Sequence, residues 1–216
     1  MSSNFLKQLV CELFAEGTSN LKIDVISLSI SGLVLVLLVL GILYSPAFNR
    51  FDRRLHQKLV KTQKNIFWKI IAFINEPKLV IVWDVLIAGI LINEGDYKLG
   101  LWTLLTLGVT DGAGYVIKRL VKRGRPRSHL SEEEGYSFPS GHVIGATTMC
   151  LILYTLLRRI TTSYLPLILL IYWAFVVVSR LNLRAHYPSD VLGAVALSVF
   201  CFTVMQTLYA VLFLEG

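Results

Sequence analysis

Six apolar runs separated by short polar stretches set the rhythm of this chain. Val25 to Tyr44 carries no charge and is about as long as a helix must be to cross the hydrocarbon core of a bilayer. It is longer than the apolar part of a secretion signal and no small-residue cleavage pattern follows, so it is predicted to be a retained span. Leu79 to Ile92, Leu99 to Ile117, Val143 to Leu157, Leu165 to Val178 and Val191 to Leu214 are the other five. Asn75-Glu76-Pro77 and Asn93-Glu94-Gly95-Asp96 bracket the second run. That run is short for a span and borrows length from its flanks, or else 66 to 92 forms one proline-kinked helix. The pattern predicts an all-α integral membrane protein with six transmembrane helices.

Between the first and second runs, Phe51 to Ile70 sets Arg53, Arg54, Lys58, Lys61, Lys64 and Lys69 among Phe51, Leu55, Leu59, Ile66 and Phe67. The apolar gaps of four predict a basic amphipathic helix lying at the membrane surface. Met1 to Asp24 is a lead of mixed polarity with no assigned role, and residues 25–216 form one membrane domain. No repeat period is present.

Composition agrees with a bilayer as solvent. Of 216 residues, 55% are hydrophobic and 16% charged, and the mean hydropathy is +0.64, too apolar for an ordinary soluble fold. The net charge of +7 sits beside the apolar runs without any nucleic-acid motif, so the expected partners are anionic membrane lipids and no nucleic acid. Three cysteines, Cys11, Cys150 and Cys201, imply no disulfide framework. Asp84 and Asp111 interrupt the second and third runs and are expected to be hydrogen-bonded inside the bundle.

The polar stretches 118–142 and 179–190 are separated by two spans and therefore lie at the same face, where they surround one polar site. They bring together Lys118, Arg125 and Arg180, the hydroxyl and amides of Ser140 and Gly141, the imidazoles of His142 and His186, and Asp190. Fixed cations and a helix N-terminus suit the oxygens of a phosphoryl group. Pro188 is placed to begin the sixth helix, so Asp190 in its first turn reaches back to His186, the arrangement of an oriented nucleophile or base. His142, at the start of the fourth helix, is suited to protonating a leaving oxygen. The surrounding cations would repel a divalent ion, so no metal and no cofactor are expected.

Lys118-x6-Arg125-Pro126, Pro139-Ser140-Gly141-His142 and Ser179-Arg180-x5-His186-x3-Asp190, in that order, resemble the three-part signature of the type 2 phosphatidic acid phosphatase family. The resemblance implies a six-helix membrane phosphatase with a metal-independent phosphohistidine mechanism acting on a lipid phosphate or diphosphate, such as a polyprenyl diphosphate, phosphatidylglycerophosphate or phosphatidic acid. It carries the nucleophile to His186, the orienting carboxylate to Asp190, the general acid to His142, and phosphate binding to Lys118, Arg125, Ser140, Gly141 and Arg180. Lys122, Arg123, Arg127 and Arg184 lie outside the signature and are expected at the membrane surface, with a second phosphate as the alternative partner. His56 and His129 are expected to be solvated. The resemblance implies a site on the extracytoplasmic side of the cell membrane, whereas most Lys and Arg fall at the site's face, which the positive-inside rule would place in the cytoplasm. The extracytoplasmic side is the expectation adopted, since the surface helix and a phosphate site recruit cations for their own reasons. A lipid phosphotransferase using the same intermediate, or a non-catalytic membrane scaffold, are the alternatives.

Overall fold

A computed structural model describes residues 21–60, 66–126, 135–158 and 163–213, with side chains from Asp24 onward. Among the described residues there are eight helices and no strand. They are α1 (Leu21–Tyr44), α2 (Pro46–Leu59), α3 (Ile66–Ile74), α4 (Pro77–Asn93), α5 (Tyr97–Val121), α6 (Gly141–Leu157), α7 (Leu165–Asn182) and α8 (Pro188–Phe213). Pro46, Pro77, Pro166 and Pro188 each stand in the first turn of a helix, where the missing N–H costs nothing. Ser45 caps α2 through Phe48 N–H at 3.2 Å, and Asp96 caps α5 through Leu99 N–H at 3.1 Å.

The six longer helices correspond to the six apolar runs and alternate in direction. At one end, Leu99, Trp102, Ile152, Phe202 and Tyr209 form a buried cluster, Trp102 Nε1 donates to the Met205 carbonyl at 3.2 Å, and Lys98 Nζ lies 4.9 Å from the Phe213 ring centre. The polar sequences collect at the opposite end. There α1, α5 and α7 finish, while α4, α6 and α8 begin. Small residues allow close approach within the bundle: a Cβ on Gly100 would stand 2.9 Å from the Ala88 carbonyl oxygen, which draws α4 and α5 together.

Outside the bundle the surface is apolar. Val25, Ile26, Ile30, Leu33, Leu37 and Leu40 of α1 are exposed, as are Leu167, Ile168, Leu170 and Ile171 of α7. Three helices, Asp24–Tyr44, α7 and α8, are long and apolar enough to cross a membrane, and α6 is a shorter apolar helix. Inside, the hydroxyls of Thr103, Thr106 and Thr110 bond back to carbonyls of their own helix. Asp84 is 2% exposed, and its Oδ1 has no hydrogen-bond partner among the described residues, so the expected bond inside the bundle is not found for that oxygen. Cys150 and Cys201 are free thiols.

Phe51 to Ile70 is not one helix. The chain is helical from Pro46 and leaves the helix at Val60, and a second helix runs from Ile66 to Ile74, ending at the Asn75-Glu76-Pro77 break that also separates it from α4. The inward face of α2 is polar: Asp52 and His56 are buried. The expectation of a solvated His56 is therefore incorrect. His129 and Arg127 lie outside the described residues.

Candidate active site

His186 lies in the short turn between α7 and α8 and is 1% exposed. Its Nδ1 is 2.9 Å from the main-chain oxygen of Ser137 and 3.6 Å from Asp190 Oδ2. The carbonyl can only accept, so Nδ1 carries the proton and Nε2 is left with its lone pair. Arg125 Nη1 stands 3.4 Å from that Nε2 and donates to the Ala185 carbonyl at 3.1 Å. The aspartate expected to take the ring N–H is thus the farther acceptor; at 3.6 Å it acts through its charge, and Ser137 fixes the tautomer.

Asp190 is fully buried in the first turn of α8. Its Oδ2 accepts the Tyr187 N–H at 2.8 Å, and its Oδ1 accepts Arg123 Nη1 at 2.7 Å. These bonds, with the His186 ring 3.6 Å away, offset the cost of burying the carboxylate. For His186, burial pushes the imidazole down to about 4; Arg180 and Arg125 act in the same direction and Asp190 against it. The ring is therefore neutral at physiological pH.

The turn 137–140 is held from two sides. Phe138 is fully buried, and a Cβ added to Gly193 of α8 would fall 2.3 Å from its Cε2. Only a bare backbone lets the ring sit there. Replacing Gly193 with alanine is expected to push the ring away and lower stability by about 1–3 kcal/mol, as overpacking does. Thermal unfolding in detergent would measure this, with a parallel fall in any activity because the same turn carries Ser137 and Ser140. Ser140 N–H donates to the Asp190 carbonyl at 3.2 Å. Ser140 occupies the N-cap position of α6 but makes no side-chain cap bond, and its Oγ is buried with no hydrogen-bond partner among the described residues. A buried hydroxyl left this way costs free energy unless an acceptor reaches it. That acceptor is what a phosphoryl oxygen above the first turn of α6 would supply.

Of the remaining expected residues, His142 is buried in the first turn of α6, next to Gly141. Among the described residues outside its own helix, the one atom within 4 Å of a Cβ built on Gly141 is Pro77 Cγ at 3.5 Å, an ordinary contact, so packing does not demand glycine at that position. Arg180 is fully buried in the last turn of α7, and its carbonyl accepts the Ala185 N–H at 3.2 Å, closing the turn that leads to His186. Lys118 is half-buried in the last turn of α5. The three sequence stretches thus meet at one end of the bundle, as their spacing requires.

Sequence reasoning missed four contributors. Arg123, expected at the membrane surface, is 8% exposed: Nη2 is 2.6 Å from Asp52 Oδ2, Nη1 is 2.6 Å from Ser189 Oγ, and the guanidinium lies 4.3 Å from the centre of the Tyr187 ring. Asp52, Ser189 and the Ser137 carbonyl complete the omission. Asp52 left a signal, being the one acid in a stretch of bases and four residues before His56 on the same helix face.

The sequence profile described as the PAP2 superfamily matches residues 99–212. Phosphatidylglycerophosphatase B of Bacillus subtilis is 30% identical over 50% of this chain and 56% of its own length. The protein of the same name in Escherichia coli K12 is 41% identical over 33% and 28%. The decaprenylphosphoryl-5-phosphoribose phosphatase of Mycobacterium tuberculosis is 37% identical over 41% and 49%. The chain thus spans about half or less of the length of these relatives. A crystal structure of a transmembrane PAP2 type phosphatidylglycerolphosphate phosphatase from Bacillus subtilis superposes with a TM-score of 0.71 at 23% identity, covering 86% of this chain and 97% of that one, and shares its fold.

Proposed function

The chain belongs to the PAP2 superfamily, and from that premise we propose that it is an integral membrane phosphatase which removes the terminal phosphate of a lipid phosphate or diphosphate by way of a phosphohistidine on His186, without a metal ion. The observation that carries this reading is the buried, neutral imidazole whose Nδ1 is bonded to Ser137 and whose Nε2 lone pair lies beside the Arg125 guanidinium.

In this mechanism the phosphate enters above the first turn of α6. Arg125, Arg180, Lys118, the Ser140 hydroxyl and the Gly141 amide bind its oxygens. Nε2 of His186 attacks phosphorus, the bond from phosphorus to the lipid oxygen breaks, and His142 gives that oxygen a proton. Asp190 stabilises the positive charge that develops on the ring. Water, deprotonated by His142, then cleaves the phosphorus–nitrogen bond and releases inorganic phosphate. Six spans, α1 and α4 to α8, present the site at one membrane face, reached laterally by a lipid, with α2 at the interface; the family resemblance favours the extracytoplasmic face. The relatives' names point to phosphatidylglycerophosphate and to a polyprenyl phosphoribose phosphate. Both are lipid-borne phosphates, which is the substrate class proposed here.

The test is release of inorganic phosphate by the purified protein in detergent with EDTA, over a panel of lipid phosphates and diphosphates. Release that survives EDTA supports the reading; activity lost to EDTA and restored by a divalent ion sinks the metal-free mechanism. A phosphorylated acceptor in place of free phosphate would move the chain to the phosphotransferases.

The pH dependence follows from the depressed His186. Neutral imidazole is the reactive form, so the acid limb of kcat/KM is expected near pH 4 and not near 6.5. Stability follows the same group. The unfolded chain takes up this proton near 6.5 and the folded chain only near 4, so folding loses stability as pH falls through that window and regains it as pH rises. Rate profiles and melting temperatures between pH 4 and 8 check both.

A further inference from the structure

Arg123 touches both groups that surround the Nδ1 side of His186. Its side chain donates to Asp190 Oδ1 at 2.7 Å, and its main-chain oxygen accepts the Ser137 N–H at 2.8 Å, the residue whose own carbonyl receives the His186 proton. The guanidinium is itself seated by α2. Asp52 Oδ2 takes Nη2 at 2.6 Å, Asp52 Oδ1 accepts the Ser189 N–H at 3.2 Å, and the Ser189 hydroxyl bridges Arg123 Nη1 and Asp52 at 2.6 and 2.5 Å. With Tyr187 N–H on Oδ2, neither oxygen of Asp190 is left to rotate. Asp52 and Asp190 are 3% and 0% exposed, so this is a buried pair of carboxylates sharing one fork of donors.

We propose that Arg123, anchored by Asp52 of α2, is a positioning residue of the reaction, holding Asp190 and the Ser137 turn in the register that presents Nε2 of His186 to phosphorus. This rests on the phosphohistidine reading above. Helix α2 thereby belongs to the catalytic apparatus, through its inward face and not through the basic face that meets lipid. The charged and titratable groups that face Asp190 or His186 include His56 from α2, Arg123 and Arg125 from the segment after α5, Arg180 from α7 and Tyr187 from the turn before α8, with Asp52 behind Arg123.

The experiment compares wild type, Arg123→Gln, Arg123→Lys and His186→Ala as full chains in detergent, using one lipid phosphate that the wild type hydrolyses. It records kcat, KM, the pH profile and the unfolding midpoint. Arg123→Gln is expected to lower kcat by about 100-fold, the size of effect that an ångström of misplacement produces, with KM within about threefold. Its acid limb should move upward, since Asp190, 3.6 Å from the His186 ring, loses the cation that balances its charge. Arg123→Lys, which keeps the charge but not the fork, should recover part of the rate and most of the limb. Should Arg123→Gln not fold, Arg123→Lys decides alone: a kcat about tenfold below wild type at unchanged KM supports the proposal, and full activity overturns it. A folded Arg123→Gln with wild-type kcat and pH profile reduces Arg123 to a stabilising ion pair. A rise in KM at unchanged kcat assigns it to substrate binding instead. Both overturn the proposal while phosphate release by wild type keeps the phosphatase reading. Absence of release from the wild type, with any lipid phosphate, sinks that reading and the proposal with it.

Discussion

Substituting His186 with alanine is expected to reduce phosphate release by a factor on the order of 10⁴ or more, because the proposed covalent route loses its nucleophile. The residue is 1% exposed and its ring fills the space between Ser137, Asp190 and Arg125, so alanine also leaves the Ser137 carbonyl without its donor. That loss costs about 1–3 kcal/mol of stability in addition to the rate. His186→Asn separates the two effects: its amide offers a donor where Nδ1 stood but no nucleophile. Equal inactivity of both variants, with a higher melting temperature for the asparagine, is the expected outcome. Activity in the asparagine variant comparable to wild type would remove His186 from the covalent role.

Arg180→Ala is expected to lose about 2.7–4 kcal/mol of transition-state stabilisation, read as a fall in kcat/KM of about 10²–10³. The guanidinium is fully buried at the end of α7, where it acts on the His186 ring through its charge. Preorganised, desolvated donors of this kind stabilise a developing phosphoryl charge without reorganising at the moment of reaction. Arg180→Lys should recover only part, since an ammonium offers a point charge in place of a planar fork. Because Arg180 also disfavours protonation of His186, its loss should raise the acid limb. A kcat/KM unchanged in Arg180→Ala would mean that the phosphate sits elsewhere.

The bundle was legible because a bilayer lets a helix be apolar on every side, so whole spans stand out without any periodicity. Val25 to Tyr44 and Val191 to Leu214 fall almost on α1 and α8. Helix ends were less legible where α5 and α7 continue past their apolar runs to carry Lys118 and Arg180, whereas Pro188 marked the start of α8 and His142 that of α6. The groups proposed to react sit on these polar ends, and their spacing singled them out. Arg123 and Asp52 escaped for a physical reason. Hydrophobic periodicity reports where a helix hides apolar groups, and the hidden face of α2 is ionic. A guanidinium among neighbouring cations gives no local sign of a carboxylate 71 positions away.

The ion pair between α2 and the end of α5 also limits what can be exchanged between chains of this kind. Residues 99–212, the segment that matches the family, hold every group proposed to react, yet Asp52 lies outside it. A chimera that joined this segment to an unrelated amino-terminal half would bury the Arg123 guanidinium with one carboxylate instead of two and leave Ser189 without its acceptor. Position 52 and position 123 therefore behave as one unit of inheritance, to be transplanted or neutralised together, however far apart the chain writes them.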